Sequence, residues 1–465
     1  MLDILGLPAT ELLKLYKTKT LSPVEAMRPA LSQIQKVNPQ VNAFAFLEDE
    51  KRLLQQARES EARWMKNSPQ GLLDGLPVTI KDDTAVAGWV VRDGSLTTPE
   101  VPAMADAPVA ARLREAGAIF IGSTTAPEFC HKGVTDSPLY GITRNPWDTT
   151  KTTGGSSGGA AAATATRMGW LHVGSDGGGS IRIPANFCGI FGIKPTTGLI
   201  PRFPQTPFSS LASAGPMTRT VAESALMLDI IALPDPRDGS ALPYENRHFA
   251  AGLATPLKNL RIAYTPTINA TPIDPEVACL VADAAKKMQR FGSVEEISLD
   301  IPELVETFNT HWMAVAGWLL GKTPPEKRVL MDPHFLRWAQ RGAQLPLNDY
   351  IDAELGRMSI ISQMQALFNS YDVLIMPVTP MPAFDVGLNV PHDAQNRPWD
   401  DWTPLTFPAN LARLPAASLP CGVTAEGLPV GVQLMSGFLR DNMVLNAAHA
   451  LERETGFQDW LARQP

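Results

Sequence analysis

The spacing of apolar and polar positions changes near residue 70. Before that point apolar residues recur at helical intervals: Ser22-Pro23-Val24-Glu25 reads as a capping box with proline at the first helical position, followed by Met27, Leu31 and Ile34. Residues 9 to 65 therefore read as helical, a solvent-facing amphipathic wrapper, with Pro29 as the place for a kink. Beyond residue 70, short apolar runs alternate with helical stretches. Gly75 to Ile80 (GLPVTI) predicts a strand ending at Lys81, residues 107 to 116 a helix, and Ala118 to Gly122 a buried strand. After Pro195 the pattern gives helices over about 221–233 and 275–291, strands at 260–264, 372–378 and 429–435, and a closing helix over 440–455. Such alternation predicts an α/β fold whose central sheet is covered by helices on both faces.

A chain of 465 residues exceeds the usual size of one core, which leaves two or three domains or one large α/β unit with insertions. The net charge of -7 comes from interspersed acids and bases, and no basic block points to nucleic acid or an anionic membrane. The segment MLDILGLPATELL lacks the charge pattern of a signal peptide, and no uncharged apolar run is long enough to span a bilayer, so a cytoplasmic protein is expected. Cys130, Cys188, Cys279 and Cys421 are scattered without a CxxC pair, which argues against a disulfide framework or a zinc site.

The candidate chemistry lies between Lys151 and Pro184, where Ser156 and Ser180 each sit in a glycine cluster. Glycine-rich loops let several backbone N–H groups converge on one oxygen anion, as acyl transfer requires. Gly177, Gly178, Gly179 and Ser180 form the run able to supply such an oxyanion hole. Lys81 ends an apolar strand in the context GLPVTIKDD, where it could equally pair with Asp82 or Asp83. A Ser-His-Asp hydrolase using His131 or His172 lacks a GxSxG elbow, and His172, within WLHVG, reads as a core histidine. A phosphate-binding module lacks both GK[ST] and GxGxxG.

Taken together, Lys81, GGSSGG at 154–159 and DGGGSIRIP at 176–184 resemble the amidase signature family of Ser-Ser-Lys hydrolases, with Ser156 lying 24 residues before Ser180 and 75 after Lys81. YDVLIMPVTP at 371–380 and GLPVGVQLMSG at 427–437 are similar to that family's later strands. The resemblance implies one amidase domain built on a large mixed sheet: a helical wrapper (1–70), a signature core (71–234), a variable substrate-side insertion (235–370) and C-terminal strands with a helix (371–465). It implies Ser180 as nucleophile, Ser156 as proton-relay serine after a cis peptide bond with Gly155, and Lys81 as base. A base must be neutral, so burial would have to bring this lysine below the ordinary value of about 10.4. Thr153, Gly155, Ser157, Asp176 and Arg182 are expected as supports, and Phe129, Cys130 and His131 as the acyl side of the pocket. Trp312, Met313, Trp318 and Trp338 are candidates to roof it. No cofactor or metal is implied. The expected partner is a small-molecule amide or carbamate, with neither nucleic acid nor membrane, and a homodimer is compatible. The alternative within the family is a glutamine-dependent amidotransferase subunit that passes ammonia to a partner protein.

Overall fold

In a computed structural model describing residues 2–208, 210–391 and 402–456, the short apolar runs become strands. In chain order they are β1 (Phe44–Leu47), β2 (Pro77–Lys81), β3 (Ile119–Thr124), β4 (Asp136–Ser137), β5 (Gly141–Ile142), β6 (Leu171–Asp176), β7 (Phe191–Lys194), β8 (Ser213–Thr218), β9 (Leu260–Tyr264), β10 (Gly292–Glu296), β11 (Val373–Pro377), β12 (Ala416–Val423) and β13 (Pro429–Met435). β4 and β5 pair only with each other, and the rest form an 11-stranded sheet in the order β1-β3-β2-β6-β8-β7-β12-β13-β11-β9-β10. The sheet is mixed: β2 runs parallel to β3 and β6, and β9 runs parallel to β10 and β11.

Alternate side chains along the strands divide between two cores, as a pleated ribbon buried on both faces requires. Ile262, Val373 and Ile375 join one cluster with the helices Pro108–Glu115, Val221–Ile231, Pro275–Lys287 and Asp441–Glu454. Ala263, Leu374 and Met376 join the other, against Leu304–Lys322, Pro333–Gly342 and Leu347–Ser370.

The N-terminal segment departs from an all-helical wrapper. The capping box at Ser22 and Glu25 forms, and its helix Pro23–Val41 runs through both Pro29 and Pro39. That helix stops at Asn42 in the left-handed conformation, where the Asn38 side chain accepts the N–H groups of Ala43 and Phe44. The apolar FAFL run that follows is β1, antiparallel to β3 at the sheet edge. A four-residue strand between two amphipathic helices leaves too short a period-2 signal to stand out from its neighbours.

Three neighbouring parallel strands bring the expected site residues to one end of the sheet. β3, β2 and β6 end at Thr124, Lys81 and Asp176, so the segments that leave them emerge on the same side of the sheet. Crevices outside the carboxyl ends of parallel strands are where open α/β sheets place their ligands.

Candidate active site

Lys81 is fully buried at the end of β2 and donates to Ser156 Oγ at 2.7 Å and to Ser175 Oγ at 2.9 Å. The Ser175 hydroxyl in turn donates to Asp83 Oδ2, which lies 3.8 Å from the Lys81 amine. Burial pushes the Asp83 carboxyl up, but the charges of Lys81 and Arg202 and hydrogen bonds from Ser175 and Thr84 outweigh it and hold the group below the usual carboxylate range. Ser156, also fully buried, follows a cis peptide bond with Gly155. Gly155 packs so closely that a Cβ there would lie 2.6 Å from the Val134 carbonyl carbon. Ser157 points elsewhere, donating its hydroxyl to the Ser175 carbonyl at 3.1 Å and its N–H to the Ser180 carbonyl at 3.1 Å. Thr153 donates to the Gly154 carbonyl at 3.0 Å.

Ser180 is 8% exposed and shares a cavity of about 100 Å³ with Ser156, Ser175, Gly177, Phe129, Cys130 and Trp312. The loop that carries it is braced from below by a buried ion pair. Arg182 Nε donates to Asp176 Oδ2 at 2.9 Å, and both side chains are wholly buried. The guanidinium also donates to the Thr406 carbonyl (2.8 Å), Gln433 Oε1 (2.7 Å) and Asn410 Oδ1 (2.5 Å). Burial pushes the Asp176 carboxyl up, yet the Arg182 charge and hydrogen bonds from Arg182 and Asn410 prevail and keep it ionised well below the usual range.

The expected oxyanion hole needs one correction. The Gly179 N–H donates to Asp176 Oδ1 at 2.8 Å and is therefore committed to the brace. Among the described residues, the amides of Gly177, Gly178 and Ser180 donate to no protein acceptor. Gly178 lies against Phe308: a Cβ at this position would sit 2.5 Å from the ring's Cζ. The ring cannot retreat, because it stacks on Phe407 at 3.7 Å between centroids and on Trp312 at 5.2 Å.

Of the residues expected on the acyl side, Phe129 and Cys130 line the cavity. His131 does not. It lies behind the wall, 1% exposed, with Nδ1 against the Glu128 carbonyl at 2.8 Å and its ring 4.9 Å from Phe335. Its neighbours Phe129 and Cys130 both have positive φ, and this turn carries the next side chain away from the cavity. Burial pushes the Cys130 thiol up to about 12, so it stays protonated at neutral pH. Trp312 reaches the cavity and donates Nε1–H to the His131 carbonyl at 2.9 Å. Trp338 is buried in the second core, Met313 faces a different groove, and Trp318 is 52% exposed outside this cavity.

The family model named Amidase matches residues 25–445. The chain belongs to the amidase family. An acylamidase from Rhodococcus erythropolis is 33% identical over 471 residues, covering 99% of this chain and 97% of the relative. A glutamyl-tRNA(Gln) amidotransferase subunit from a Picosynechococcus species is 34% identical over 477 residues, covering 96% of this chain and 97% of the relative. Among solved structures, a bacterial aryl acylamidase of the amidase signature family superposes with a TM-score of 0.89 at 25% identity, with 99% of each chain covered. A 6-aminohexanoate cyclic dimer hydrolase gives 0.88 at 26% identity, covering 100% of this chain and 99% of that one. The protein is thus an amidase-family enzyme.

Asp83, Ser175, Arg202, Phe208 and Phe308 were not singled out as site residues by sequence. Asp83 adjoined a marked lysine and Ser175 preceded a marked aspartate, so both had a local signal, whereas Arg202, Phe208 and Phe308 had none. Asp93 and Arg202 bring charged groups to the cavity lining. Burial and the negative charges of Asp82 and Asp83 push the Asp93 carboxyl up to about 7.

Proposed function

We propose that this enzyme hydrolyses linear amide C–N bonds through an acyl-enzyme on Ser180. The observation that carries the reading is the 2.7 Å hydrogen bond from the buried Lys81 amine to Ser156, inside the cavity that Ser180 lines. Ser180 Oγ attacks the carbonyl carbon and gives its proton to Ser156 Oγ, which passes its own to the free amine of Lys81. The oxyanion meets backbone N–H groups from Gly177, Gly178 and Ser180. When the C–N bond breaks, the departing amine takes a proton from Ser156, which Lys81 replenishes. Water then attacks the ester by the same relay and frees Ser180.

The substrates proposed are aryl or alkyl amides, with carbamates and some esters as further acyl donors. The apolar wall of Phe129, Phe208, Trp312 and Leu319 supports this class, as does the likeness to acylamidases. A second reading, a glutamine-dependent amidotransferase subunit, is favoured by Asp93 and Arg202 in the cavity lining, which could meet an amino acid's ammonium and carboxylate, and by the amidotransferase relative. The isolated chain assayed on anilides, carbamates, esters and free glutamine separates the two: turnover of anilides alone supports the amidase, and glutamine hydrolysis only with partner subunits supports the other. Ser180→Ala should abolish turnover with the fold intact, and Lys81→Ala and Ser156→Ala should each slow acylation by orders of magnitude. Near-normal rates in Lys81→Ala at neutral pH would refute the relay.

A further inference from the structure

The hydrogen bonds around Lys81 have a direction. The Ser175 hydroxyl has a single proton, and that proton goes to the Asp83 carboxylate, which stays ionised and can only accept. Ser175 therefore offers Lys81 nothing but lone pairs, and the 2.9 Å contact between them must run from amine to hydroxyl. A neutral amine has two N–H bonds and one lone pair. With one N–H fixed on Ser175, the lone pair can be turned toward Ser156, 2.7 Å away. Without the carboxylate, the Ser175 hydroxyl could rotate and donate into that lone pair, competing with Ser156 for the place the relay needs.

We propose that Asp83 is a positioning residue for amide hydrolysis: acting through Ser175, it fixes the hydrogen-bond direction that leaves the Lys81 lone pair to Ser156. The inference rests on the relay proposed above. The other charged or titratable groups acting on this cluster are Asp82 and Asp93, from the segment after β2, Arg202, from the loop after β7, and Cys130, from the turn after β3, whose thiol donates to Asp83 Oδ2 at 3.8 Å. Thr84 donates its hydroxyl to Asp83 Oδ1 at 2.8 Å and could accept from an amide in its place, so Asp83→Asn can keep an acceptor on Ser175 while losing the charge.

The test is a pH–rate profile on one anilide for Asp83→Asn, Asp83→Ala, Ser175→Ala and the double Asp83→Ala/Ser175→Ala variant, each checked for folding by thermal melting. Asp83→Ala and Ser175→Ala should each lower the high-pH plateau of kcat by roughly 10- to 100-fold. The double variant should be no slower than either single, since both act through one contact. Asp83→Asn, which can keep an acceptor on the Ser175 hydroxyl, should recover most of the plateau. A merely structural role would give losses that add in the double variant and no rescue by the amide. Additive losses in the double variant, or an Asp83→Asn enzyme as slow as Asp83→Ala, would overturn the proposal. Lys81→Ala and Ser156→Ala in the same assay keep the two readings apart: if they lose activity while Asp83→Ala behaves as wild type, only the role of Asp83 fails.

Discussion

Gly178→Ala adds one methyl group at the point where the loop that carries Ser180 touches Phe308. The new carbon would stand 2.5 Å from Cζ and 3.0 Å from Cε2 of that ring, so something must move by about 1 Å to reach ordinary contact distance. The ring is trapped between Phe407 and Trp312, and both Phe308 and Phe407 are fully buried, so the displacement falls on the loop. Overpacking of this kind costs about 1–3 kcal/mol of stability. If a single oxyanion donor is carried out of line, the transition state loses about 3 kcal/mol more, roughly a 100-fold fall in kcat. Urea denaturation reads the first quantity and steady-state hydrolysis of an anilide the second. Phe308→Leu in the same chain should make room for the methyl group, so that the double variant is faster than Gly178→Ala alone and the two stability losses are less than additive by about 1 kcal/mol. A Gly178→Ala enzyme with wild-type kcat and stability, or a double variant whose losses simply add, would refute the packing constraint.

Arg182→Met leaves Asp176 buried without its counter-charge and should cost about 3–5 kcal/mol in urea denaturation, with Asp176→Asn recovering part of the loss in the double variant. His172, fully buried with Nδ1 at 2.8 Å from Thr79 Oγ1, is pushed down to about 3 by burial and the nearby Arg219 charge. Folding thus holds it neutral: its contribution to stability is complete above pH 6.5 and is lost as pH falls from there toward about 3, amounting to about 2 kcal/mol by pH 5. The difference in denaturation free energy between pH 7 and pH 5 should be smaller by that amount in His172→Gln, and an unchanged difference would exclude the histidine as its source.

The proposed site could be read from the sequence where it depends on local backbone. Glycine clusters around Ser156 and Ser180 and a lysine ending an apolar strand are each written within a few residues, and the strands that carry them have strong apolar runs. What escaped depends on side chains brought together by tertiary packing. Ser175 meets Asp83 across 92 residues of chain, and the ring of Phe308 arrives from a helix more than 120 residues beyond Ser180. His131 was misplaced because a strand-turn pattern gives no sign that Phe129 and Cys130 adopt positive φ and turn the next side chain away. β1 was absorbed into its flanking helices for want of length. Strand order was beyond reach, since β7 lies beside β12 through hydrogen bonds that link residues 416–418 to 192–194.

The acceptors around the Arg182 guanidinium also set an order of events during synthesis. A chain released from the ribosome as far as residue 200 already contains Lys81, Ser156 and Ser180, yet the Thr406 carbonyl, Asn410 and Gln433 that satisfy the arginine have not been made. Until they arrive, closing the loop would bury donors with nothing to receive them, at a penalty of about 1–3 kcal/mol for each. The loop therefore closes late in translation, and fragments ending before residue 433 would hold the residues of the proposed relay without the frame that supports them.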